Sequence, residues 1–187
     1  MEFVKIGLSS RRIKNLTTLA QFLERRIKPP TFNMGSYIKI GQGFDVEFPT
    51  TMKEALAEIA VRLDIKKVNE ATLYNYCGTA ACAVGHGPLA GIPIKKNEDF
   101  AEYSSRVFID DIDSDDHALA WQFLFASSWV NIDNTPKGAA ARIWLLLDKG
   151  LPKVKYSRFE YSTNTQVYKS YKKGNKNHPD KRKDIAA

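Results

Sequence analysis

The sequence predicts a mostly α fold, a compact bundle of about five helices with a small β-hairpin and a basic C-terminal arm. Apolar residues recur at three- to four-residue spacing in several segments, the period of a helix with one buried face. The one pair of short alternating runs flanks two glycines, as in a hairpin. No repeat of fixed period occurs, and no succession of strands and helices suggests a parallel sheet.

In chain order, Ile13, Leu16, Leu19, Ala20, Leu23 and Ile27 make the first apolar stripe. Ser9-Ser10 can cap it and Pro29-Pro30 stops it, so a helix is expected over 11–27. Residues 36–40 and 44–48 then read as two strands around the loop Gly41-Gln42-Gly43. Thr51 and Glu54 have the spacing of a capping box, ahead of a stripe of Met52, Leu56, Ile59, Ala60 and Leu63 over 52–64. A third helix is expected to start at Thr79, whose hydroxyl could accept from first-turn amides, and to run to His86 before Gly87-Pro88. The acidic run 110–116 suits the positive end of a helix over 115–127. Thr135 as N-cap and Pro136 at the first helical position open the last helix, with Ala140, Ile143, Trp144 and Leu147 inward and Gly150 and Pro152 ending it.

Charge divides the 187 residues in two. Residues 1–152 hold 18 basic and 18 acidic side chains, whereas 153–187 hold 10 and 3, so the formal +7 belongs to the arm. The expected organisation is a helical body over 1–152 and a partly extended or mobile arm over 153–187, too polar to bury its own surface. Two cysteines are too few for a disulfide scaffold, the first residues lack a signal-peptide pattern, and no stretch reaches the ~20 apolar residues of a membrane span. A cytoplasmic protein without membrane contact is the expectation, the host cytoplasm if the protein is viral.

A helix pattern followed by Phe32-Asn33-Met34, the segment Cys77-Gly-Thr-Ala-Ala-Cys-Ala-Val-Gly-His86, and Trp129 followed by Asp133-Asn-Thr-Pro-Lys-Gly-Ala-Ala-Ala-Arg-Ile143 resemble a diffuse group of small bacteriophage and bacterial proteins with no assigned activity. The resemblance covers roughly residues 16–152. It implies an accessory protein, phage-encoded in some cases, and no particular chemistry.

Cys77-x4-Cys82-x3-His86 is the chemically suggestive segment. On a helix from Thr79, Cys82 and His86 would share a face, with Cys77 just before the first turn, and His117 could add a fourth ligand from far along the chain. A buried core, a metal site of Cys77, Cys82 and His86, and a reactive thiol or Cys77–Cys82 disulfide all fit. The small apolar neighbours and the absence of a second ligand pair favour the core. Papain-type, zinc-deaminase, P-loop and nucleophile-elbow patterns all fail, and Gly41-Gln42-Gly43 is too short a dinucleotide fingerprint. Asp111, Asp113 and Asp115 start a calcium-loop spacing that Asp116 and Gln122 break, leaving a solvated helix start, a weak surface cation site, or a patch for a basic partner or the protein's own arm. No cofactor is implied.

Trp121, Phe123, Phe125, Trp129 and Trp144 read as core aromatics. Tyr156, Phe159 and Tyr161 would either join a nucleic-acid surface or pack with Val154 as an edge strand. Farther on, Lys169, Lys172, Lys173, Lys176, Lys181, Arg182 and Lys183 are candidate phosphate contacts, with Tyr168 and Tyr171 as stacking platforms. With no complete catalytic constellation, the expectation is a noncatalytic binding protein. Its body would contact a protein partner, and its arm would add affinity for DNA, RNA or an acidic surface. The alternative is a small enzyme or metal-binding protein using Cys77, Cys82 and His86, with His117 or an aspartate as a further catalytic group.

Overall fold

A computed structural model describes residues 2–77, 79–109, 115–126 and 133–152. Gly78, the acidic run 110–114, Trp129 and the whole basic arm, with every candidate nucleic-acid contact, lie outside these residues. Six helices take up about half of these described residues, beside small antiparallel sheets. No helix among the described residues is long and apolar enough to cross a membrane.

The core is built on α6 (Pro136–Asp148), which is buried around most of its circumference from Gly138 to Leu146. Thr135 caps it by accepting from the Gly138 amide at 3.1 Å, and Pro136 occupies the first turn as expected. Arg142 lies in this interior fully buried, its guanidinium reaching the carbonyls of Phe123 and Ala126 at 3.4 and 3.5 Å. A permanently charged group can be held there only by such acceptors. Helix α1 (Ser10–Arg26) packs along α6 through Leu16, Leu19, Ala20 and Leu23. Ser9 caps α1, but Ile13 is largely exposed, so the buried stripe begins one turn later than the pattern suggests.

Helix α2 (Met52–Leu63) has the expected capping box: the Glu54 amide donates to the Thr51 hydroxyl at 3.1 Å while the Glu54 carboxylate accepts from the Thr51 amide. Bonds from the Thr50 amide and hydroxyl hold that carboxyl below its ordinary range. Its buried face is Met52, Ala55 and Ile59, narrower than expected, with Leu63 exposed. Two helices were not anticipated. Asn69 caps α3 (Glu70–Asn75), and an Asp99/Glu102 capping box opens α4 (Phe100–Val107). Helix α5 (Asp115–Phe125) closes near its expected end and buries Phe123, Leu124 and Phe125. Trp121, half-buried, donates from its indole nitrogen to Ser104 at 2.6 Å, and Trp144 is buried on α6.

The hairpin exists with a tighter turn than expected. Strands β2 (Ile38–Gln42) and β3 (Asp45–Glu47) pair with Gln42 opposite Asp45, so only Gly43 and Phe44 connect them. Gly43 has φ +65° and Phe44 a negative φ, the pattern of a two-residue turn whose twist matches the strands. On the other edge of β2 sits β4 (Ala80–Ala81), with Ile38 opposite Ala81. A separate pair joins β1 (Phe3–Val4) to β5 (Leu151–Pro152), bringing the first described residues to the end of α6.

Strand β4 overturns the helix expected over 79–86. Thr79 caps nothing: its amide donates to the Tyr76 carbonyl, and its buried hydroxyl has no partner among the described residues. Beyond β4 the chain runs through tight turns, closed by bonds such as His86 amide to Cys82 carbonyl at 3.0 Å. Two glycines and a proline within four residues deny a helix the length that propagation needs, while the free edge of β2 offers Ala80 and Ala81 a ladder. Gly85 passes so close to Tyr37 that a Cβ there would strike the Tyr37 carbonyl oxygen.

Candidate functional site

Pro29-Pro30 ends α1 and goes straight into a short 3-10 turn over Pro29–Thr31, which aims the Thr31 carbonyl at the turn region after β4. The His86 ring meets it there, its Nε2 3.1 Å from the Thr31 oxygen. Since a carbonyl only accepts, Nε2 carries the proton and Nδ1 is left with a lone pair. The ring lies between Phe32 and Tyr74, at centroid distances of 5.9 and 5.5 Å, while the Tyr74 hydroxyl donates to the Gly85 carbonyl. Burial lowers the His86 pKa to about 4, so the imidazole is neutral at physiological pH. Nδ1, also buried, has no partner among the described residues.

Two clefts adjoin at this point. The larger, about 900 Å³, opens between the segment 30–35, strand β2, residues 74–77, and Thr79 with Ala80. The smaller, about 320 Å³, lies between the end of α1, helix α3 and His86. Thr31, Tyr74, Asn75 and Thr79 line both and form the waist between them.

The residues singled out by their spacing are thus separated. Cys77 is exposed and lines the larger cleft; His86 lines the smaller one. Cys82 is buried and lines neither, its sulfur accepting weakly from the Gly85 amide at 3.5 Å and its pKa raised by burial to about 11. His117 is half-buried on α5, away from both linings. Both thiols are free, and no cluster of three His, Cys, Asp or Glu side chains with metal-binding geometry occurs among the described residues. The helix that would have aligned Cys82 with His86 does not form, so the shared face on which a Cys77, Cys82 and His86 site depended is lost.

Sequence reasoning did not reach Lys39, Tyr74 or Asn75, which no motif connects to Thr79. They meet because β2 lies between β3 and β4 and because α3 leads directly into the cleft.

A second surface is apolar. Phe44, at the hairpin tip, is fully exposed, and Phe48, Val61, Leu63 and Ile65 are exposed as well. Arg62 ties the hairpin to the last turn of α2, donating to both carboxylate oxygens of Asp45 at 2.9 and 2.8 Å and to Glu58 at 2.5 Å. Lys66 and Lys67 follow, both exposed.

No protein-family model, curated protein or solved structure matches this chain.

Proposed function

We propose that this protein is a noncatalytic accessory binding protein, in keeping with its resemblance to small phage and bacterial proteins. Its hairpin and α2 surface would contact a protein partner, and its basic arm would add affinity for nucleic acid. The observation that carries the protein-binding half is Phe44, an aromatic side chain left in water at the tip of a turn that demands glycine only at its first position. Folding gains nothing from that phenyl ring, whereas covering it would contribute about 1.5–3 kcal/mol. Val61 and Ile65 flank Arg62 in sequence, and the Arg62–Asp45 pair holds this end of α2 against the hairpin, so the apolar groups are presented on a tied frame. Lys66 and Lys67 beside them suit a partner whose apolar segment is bordered by carboxylates.

The test is co-purification from nuclease-treated lysate with wild-type protein and with the Phe44→Ser/Val61→Ser variant. A specific partner is expected with the wild type and about a hundredfold less of it with the variant, the loss of two buried apolar anchors. The melting temperature should not change. Equal retention by the variant would remove this surface from the function.

A further inference from the structure

We propose that the two joined clefts around Thr79 form a binding site for a small anion carrying a planar ring and hydroxyl or amino groups, the chemistry of a nucleoside monophosphate. This site is independent of the apolar face on the hairpin and α2.

Three features converge on it. Charge is the first. Lys39 lines the larger cleft and Arg26 and Lys28 the smaller, while no Asp or Glu is among the lining residues of either. Glu70 acts electrostatically on Tyr74 but lines neither cleft. Residues 1–152 balance their charges, so a concavity with cations and no carboxylate is a local positive field and not a reflection of composition.

The second feature is unused hydrogen-bonding capacity. Thr79 is 4% exposed and lines both clefts, and its buried hydroxyl has no partner among the described residues. The Nδ1 of His86, a residue 2% exposed on the smaller cleft, is likewise without one. Each such group costs about 1–3 kcal/mol when left unpaired, a cost that a ligand with matching groups would relieve. The bond from Nε2 to Thr31 makes Nδ1 an acceptor only, so it must face an N–H or O–H donor. A molecule with hydroxyl or amino groups at one end and an anionic group at the other would satisfy Nδ1 and Lys39 together.

Third, the walls are aromatic. Tyr74 stands at the waist, and Phe32 and Tyr76 line the larger cleft, aromatic groups suited to contact with a ring. The volumes, about 900 and 320 Å³, match the roughly 300–1,000 Å³ of small-molecule sites. The ring and donor end would occupy the waist, against Thr79 and toward His86, with the phosphate in the larger cleft at Lys39.

The chain carries its own reporter. Cys77 is exposed and lines the larger cleft, whereas Cys82 is buried with its thiol held protonated. N-ethylmaleimide labelling of the full-length protein, followed at each cysteine by mass spectrometry, therefore reads the cleft. AMP, GMP, CMP and UMP at millimolar concentration are the probes, with the four nucleosides as controls. At least one nucleotide is expected to slow Cys77 labelling in proportion to occupancy, with its nucleoside much weaker. Lys39→Gln should raise the concentration for half-protection by about tenfold, the loss of one charge-assisted contact. Thr79→Val should weaken protection in the same direction while leaving the melting temperature of the free protein unchanged or higher, because it deletes an unpaired buried hydroxyl. Purely structural roles would not give that pair of results. Unchanged labelling with all four nucleotides overturns the proposal. So does protection that is equal in wild type and Lys39→Gln, which would place the nucleotide elsewhere, including on the arm.

Discussion

Burial takes His86 out of the range in which histidines ordinarily titrate, lowering its pKa from 6.5 to about 4 against the weaker opposing pull of its bond to Thr31. Between those values the unfolded chain binds a proton that the folded protein refuses, so stability rises with pH there and is lost as pH falls from 6.5 toward 4. At pH 5 the loss from this group is about 2 kcal/mol. His86→Phe keeps a ring between Phe32 and Tyr74 and removes the titration. Urea unfolding at pH 7 and pH 5 should show a stability difference in the variant smaller by about 2 kcal/mol than in the wild type. Glu98 does not obscure this window: its bonds from Arg106 hold its carboxyl below the ordinary carboxylate range, so its contribution is lost only in more acidic solution.

Among the elements, α6 sets the tolerance of the whole body, since α1 and α5 both pack on it. Its cap and its buried face should fail to different degrees. Thr135→Ala removes one accepted amide bond and should cost about 1 kcal/mol by chemical denaturation. Ile143→Asp puts a charge at a fully buried position and should cost ~4 kcal/mol or more, enough to abolish the cooperative transition of a domain this size. The helices that capping chemistry marks most clearly, α1, α2 and α6, stand where Ser9, Thr51 and Thr135 put them. Asp99 and Glu102 carried the same signal for α4, and Asn69 a weaker one for α3, but neither precedes a long apolar stripe, so periodicity passed over both. Thr79 carried a capping residue type with no helix behind it.

Among the described residues, the buried apolar core runs from Leu16 to Leu151, within the part of the chain whose charges balance. If the proposed role of the arm holds, nucleic-acid affinity should depend on residues 169–187 and weaken steeply with salt. Four phosphate contacts among Lys169, Lys172, Lys173, Lys176, Lys181, Arg182 and Lys183 would give a slope of log affinity against log salt of about −3.6 on duplex DNA. Deleting 169–187 should abolish that binding in a filter or anisotropy assay and leave the thermal transition of the body unchanged. Binding retained by the truncated protein would transfer the interface to the helical body.

The sequence by itself determined the helical class, the capped starts of α1, α2 and α6, the hairpin and the segregation of charge. Each is a local matter, decided by residues within one or two turns of each other or by composition. Tertiary structure decided the fate of Thr79 to His86, because the free edge of β2, more than forty residues upstream of Ala81 in sequence, competes with a helix that glycine and proline make weak. It also decided the site. Thr31, Lys39, Tyr74, Thr79 and His86 come from four separate segments, and their meeting depends on the proline turn after α1 and on β4 docking beside β2. Spacing along the chain records which residues can share a helix face; it carries no record of which strand edge is open.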